Sequence, residues 1–246
     1  MKKKGFTLVE TLLSLAVIGI IAGMMLPMAN KIKPDVNKAM YIKTYDSLVS
    51  LINSVVNNPI LYPADGTVST IDYTNAPLYN TLKVEYDGKT FGASSNSKFC
   101  EILAYGLNAD MSGCTNNDKA HTSLTSPTFN FTTPNGVQFS INTEIKIDPT
   151  LSYTNSIIFD VNGDKDPNCI GRDSDSTCTK PDRFRFLVSA DGHLIASDVY
   201  GQYYLKTRES FKLKDVQNNI KTEGLKEVTT MPTDWIITPN ITTQSN

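Results

Sequence analysis

From Thr11 to Asn30 the chain runs for 20 residues without a charged side chain, directly behind the lysine-rich start MKKKGFTLVE. No other feature constrains the fold as strongly. At about 1.5 Å per residue, roughly 20 apolar residues span the ~30 Å hydrocarbon core of a bilayer as one helix. Eight of the 20 are Leu, Ile or Val, and at about −0.3 to −0.6 kcal/mol each they sum to roughly −4 kcal/mol of insertion energy. A carboxylate at mid-membrane costs about 2.5 to 3.5 kcal/mol on the same scale, and less toward an edge, so Glu10 leaves insertion favourable. The run is longer than the roughly 7 to 15 apolar residues of a secretory signal peptide, which leaves an uncleaved anchor helix as the better reading. Charge does not set its orientation, because Lys2, Lys3 and Lys4 are balanced by Lys31, Lys33 and Lys38.

The residues KKKGFTLVE also carry a family likeness. A short basic leader, Gly5 and then Phe6-Thr7-Leu8-Val9-Glu10 resembles the class III leader of type IV pilins and type II secretion pseudopilins. The resemblance implies that a prepilin peptidase cuts between Gly5 and Phe6 and methylates the new Phe6 amine. It also implies that Glu10 pairs with the amine of a neighbouring subunit, which agrees with the high cost of burying a lone charge and the lower cost of burying a pair. Pro27 falls where many pilins carry a helix-kinking proline. Pro34 lies closer behind it than the family's usual second proline, so a kinked or melted segment from Leu26 to Asp35 is expected. The implied partners are other pilin or pseudopilin subunits, the prepilin peptidase, a membrane assembly platform and the bacterial inner membrane. The implied location is a single-pass anchor with its head outside the cytoplasm, then a periplasmic or cell-surface filament.

The rest of the chain is expected to fold. With 40% hydrophobic and 20% charged residues among 246, it can build one sizeable core besides the anchor. The expected division is a leader at 1–5, an N-terminal helix at 6–58 and a globular head at 59–246. Loss of the leader leaves 20 basic against 25 acidic side chains, a mildly anionic protein with no strong nucleic-acid signal. Tyr41, Tyr45, Leu48, Ile52 and Val55 recur at spacings of four and three, which predicts an apolar stripe along a helix ending near Asn57 to Pro59. TFNFTTPNGVQFSI and RFRFLVSADGHLIAS each read as strand, turn, strand, with Phe184, Phe186 and Val188 on one face and Arg185 and Leu187 on the other. The fold class is therefore α+β and, by the resemblance, pilin-like: a long N-terminal helix packed on an antiparallel sheet. Residues 60 to 96 carry weak patterning and read as a loop with short elements.

Cys100, Cys114, Cys169 and Cys178 contain no CxxC pair, so disulfides are expected if the head is extracytoplasmic. Three connectivities are possible. The expectation is sequential pairing, closing loops on the order of 10 to 15 residues and leaving 101–113 and 170–177 as tethered surface loops. In DVNGDKDPN, the alternating Asp160, Asn162, Asp164 and Asp166 could turn oxygens toward one calcium ion. Some pseudopilins bind calcium in their C-terminal loops, although Asp166 stands where the family pattern leads one to expect glycine. The segment is no EF-hand, and an Asx-rich turn capping its own backbone fits the same residues. His121 and His193 are the only histidines, no serine sits in a Gly-x-Ser-x-Gly elbow, and no glycine-rich phosphate loop is present. An enzyme is disfavoured. A filament subunit is the leading expectation, ahead of a membrane-anchored binding protein such as an adhesin or DNA-uptake minor pilin, and of an anchored hydrolase.

Overall fold

The computed structural model describes residue 15 and residues 35–62, 83–92, 97–114, 127–141, 156–172, 177–189, 192–208 and 216–230. The stretch 16–34, with the kink expected up to Asp35, lies outside them. Helix α1 runs from Val36 to Val56 and is capped by Asp35, whose side chain accepts the Lys38 N–H at 3.2 Å. Asp35 satisfies one of the orphan donors of the first turn. The stripe read from the sequence is the face that packs: Tyr41, Leu48, Ile52 and Val55 are buried. Thr44 is buried as well, while Tyr45 sits at the margin, because the strip in contact is centred slightly to one side of the apolar residues.

What α1 covers is an antiparallel sheet of five strands in sequence order, β3 (Phe131–Thr132), β4 (Gln138–Ile141), β5 (Ser156–Asp160), β6 (Arg183–Val188) and β7 (Leu194–Ala196). Register places Phe131 opposite Phe139, Phe139 opposite Phe159, and Phe159 opposite Phe184. Four phenylalanines thus line up across four strands, with ring centroids 5.1, 5.9 and 5.6 Å apart. Tyr41 of α1 stands over this row, 4.6 Å from Phe184 and 5.7 Å from Phe159. Such pairs add about 0.5 to 1.5 kcal/mol each beyond area burial. Both expected hairpins are present, around Pro134-Asn135-Gly136 and between β6 and β7.

The sequence reading gains detail at one element and is corrected at a second. Within 60–96 there is a hairpin, β1 (Val84–Tyr86) with β2 (Lys89–Phe91), turned by Asp87 and Gly88 at positive φ. The second is α2 (Lys98–Gly106), which occupies much of the segment expected to be a tethered surface loop. Residues 99 to 104 of α2 are buried, and Gly106 comes so close to α1 that a Cβ there would lie 2.4 Å from the Leu51 side chain. The loop expectation fails because Phe99, Ile102 and Leu103 supply an apolar face that the cysteine spacing alone does not reveal. Two further helices, α3 (Val199–Lys206) and α4 (Val216–Glu223), follow the sheet.

Candidate functional site

Gly5, Phe6 and Glu10 lie outside the described residues, as does the apolar stretch apart from Leu15. Among the described residues no helix is long and apolar enough to cross a membrane. The described structure does show how the head holds the helix that follows the stretch. The Lys38 ammonium is buried and donates to the Thr207 carbonyl at 2.5 Å and hydroxyl at 2.9 Å. The Tyr204 hydroxyl donates to Asp35 at 3.1 Å, and the Asn37 amide to the Pro181 carbonyl at 3.2 Å. Three groups within the first turn, the Asp35 carboxylate, the Asn37 amide and the Lys38 ammonium, therefore fasten the start of α1 to the end of α3 and to the approach to β6. Burial lowers the Lys38 pKa, and nearby Asp35 opposes that shift.

The cysteines join Cys100 to Cys114 and Cys169 to Cys178, the sequential pairing. The first bridge ties α2 to the short 3-10 turn Ser112–Cys114, which abuts β3. The second closes the loop that returns toward β6, where Ile170 pairs in parallel with Arg183.

Asp160, Asn162, Asp164 and Asp166 all lie among the described residues. Asp160 is buried at the end of β5, with its Oδ2 accepting from Arg183 Nε at 2.9 Å and its Oδ1 from the Asn162 N–H at 3.1 Å. Burial raises its pKa to about 6, against the opposing pull of Arg183. Asp164 and Asp166 are exposed, and the Asp164 carboxylate accepts a long 3.3 Å bond from the Gln138 amide. Among the described residues no three acidic, histidine or cysteine side chains are grouped to hold a metal. The Asp160 carboxylate, the buried one among these, is engaged by a guanidinium and an amide.

Sequence reasoning missed three polar clusters. Arg185, on the sheet face away from α1, is buried and donates to Ser197 at 2.7 Å, to Glu227 at 3.2 Å and to the Val228 carbonyl at 3.2 Å. Asp198 beside it caps α3, accepting the Gly201 N–H at 2.5 Å and the Arg185 N–H at 3.1 Å, and burial pushes its pKa up to about 7. At the other end, Glu101 takes the Gly92 N–H at 2.6 Å and the Ser97 hydroxyl at 2.7 Å, while the buried Lys98 ammonium rests 4.4 Å over the Tyr62 ring. An arginine in strand alternation and an acid before a helix were the signals available for the first two.

One open cleft of about 440 Å³ lies between α1, the end of α2 and the β3–β4 turn. Lys43, Ser47, Ser50, Ser54, Asn108 and Asn135 line it, and no carboxylate does. Its volume falls in the range of small-ligand sites, but the walls are polar where such sites are mostly apolar.

Residues 1–26 match the model of the prokaryotic N-terminal methylation motif, a motif typical of type IV pilins and pseudopilins. No curated protein and no solved structure matches the chain.

Proposed function

We propose, from a methylation motif that marks a type IV pilin-like or pseudopilin precursor, that this protein is a structural subunit of a type IV pilus-like or type II secretion filament. The match over residues 1–26 is the observation that carries the reading. In it, prepilin peptidase cuts after Gly5, the amine of Phe6 is methylated, and Glu10 meets that amine on a neighbouring subunit. The apolar stretch anchors the precursor in the inner membrane before an assembly platform draws it into the filament. Two disulfides support an extracytoplasmic head, since such bonds persist in oxidising compartments. The head's grip on the start of α1 supports the reading as well, because an assembling helix must carry its head in a fixed direction.

Mass spectrometry of protein from the native membrane tests the processing step. An N-terminus at methylated Phe6 is expected, and an intact leader refutes the reading. Glu10→Ala is expected to leave insertion and head folding intact while incorporation into filaments falls. Incorporation equal to wild type removes the pairing role.

The cleft beside α1 favours a second reading, a membrane-anchored binding protein such as an adhesin or DNA-uptake minor pilin. Ser50→Arg, at an exposed position on the cleft wall, separates the two. Adhesion or DNA uptake lost with assembly intact favours the binding protein, and both unchanged favours the structural subunit.

A further inference from the structure

We propose that the guanidinium of Arg183 is the resident cation of the loop that follows β5, so that the head folds and works without calcium. The alternation from Asp160 to Asp166 is the kind that gathers oxygens on a hard cation, which takes six to eight of them from carboxylates, carbonyls and amides. The fold delivers oxygens of those three types to one side chain. Arg183 Nε donates to the Asp160 carboxylate at 2.9 Å, Nη1 to the Asn168 carbonyl at 3.2 Å, and Nη2 to the Asn168 side-chain oxygen at 2.8 Å. A planar fork of five donors suits that mixed set, and its charge is permanent across the physiological pH range.

The neighbouring groups are committed to the same arrangement. Asp182 is fully buried and accepts the N–H groups of Asn168 and Cys169, both at 2.9 Å. The Cys169 carbonyl in turn accepts from the N–H groups of Asp182 at 3.3 Å and Arg183 at 3.2 Å. Loop and strand are therefore laced together through Asn168 and Cys169, and the Cys169–Cys178 bond holds the lacing from the far side. A divalent ion entering here would meet a fixed positive charge and find the Asp160 oxygens taken. A metal leaves its site when it is diluted or chelated; a guanidinium carried by the chain does not.

Full-length protein in detergent micelles, melted in millimolar calcium chloride and in EGTA, tests the proposal. The two melting temperatures are expected to coincide, and a rise of several degrees in calcium that EGTA abolishes would overturn it. Asp160→Asn and Arg183→Gln provide a second arm. Each is expected to lower the melting temperature equally in calcium and in EGTA, because each strands the partner's charge, and the double variant should lose less than the two singles together. An Asp160→Asn effect confined to calcium buffer would make Asp160 a metal ligand and sink the idea. Should the variants fail to fold, the wild-type comparison decides alone.

Discussion

Replacing Lys98 with methionine should stabilise the head. The lysine is 2% exposed, and among the described residues its ammonium has no hydrogen-bond partner and rests over the Tyr62 ring. Burial lowers its pKa from 10.5 to about 8, which corresponds to roughly 3 kcal/mol against the charged form. A folded-state pKa below the unfolded value means the unfolded chain holds the proton more tightly between about pH 8 and 10.5. The penalty is complete below pH 8 and fades as pH rises through that window. Methionine keeps the unbranched stem and removes the charge, but it forgoes a cation–π contact of about 0.5 to 2 kcal/mol. A net gain of about 1 to 2 kcal/mol at pH 7 follows. Urea unfolding of the full-length protein at steps from pH 7 to 9.5 reads it. The range stops short of 10 because buried Tyr62 and Tyr204 have raised pKa values and so lose stability once unfolded tyrosine ionises. Wild type should gain stability relative to Lys98→Met over that range, so that the gap between the two narrows as pH rises. A variant less stable than wild type at pH 7, or parallel slopes for the two proteins, would refute the reasoning.

Gly113→Ala should be severe, because the new Cβ would sit 1.8 Å from the Asn130 carbonyl oxygen, a backbone atom that cannot swing away. A loss of about 3 kcal/mol or more is expected, read as a lower thermal midpoint and faster proteolysis. Asp198, with its pKa raised by burial to about 7, contributes stability that is complete below about pH 4 and lost as pH climbs through that value. The melting temperature should therefore fall between pH 5 and pH 8, and Asp198→Asn should flatten that slope.

The elements that were legible in the sequence share one property: local pattern and tertiary contact agree in them. Tyr41, Leu48, Ile52 and Val55 keep helical spacing because one face meets the sheet, and Phe184 and Phe186 of β6 alternate with Arg185 because one side meets that helix. The β1–β2 turn had an available signal in Asp87-Gly88 between alternating residues, and α2 had one in Phe99, Ile102 and Leu103. Both were overshadowed by weakly patterned surroundings. The Asp160 loop is legible only in part, because counting oxygens along nine residues does not show that the buried Asp160 is met by Arg183, on the neighbouring strand and beyond a disulfide. Arg185 reads in sequence as the outward member of an alternating strand, and only the passage of Glu227 and Val228 across that face makes it interior.

The fastening at the start of α1 also fixes how the head would bear a pull. Tension applied from the N-terminal side enters along the helix axis and first meets the bonds of Asp35 with Tyr204, Asn37 with Pro181 and Lys38 with Thr207. These partners lie far along the chain, so the load passes at once into α3 and the approach to β6. Behind them, Tyr41, Leu48 and Ile52 are pressed against the sheet and would have to slide together. Contacts loaded in parallel share the force, whereas contacts peeled one by one each face all of it. The head is thus built to resist being dragged from its own helix.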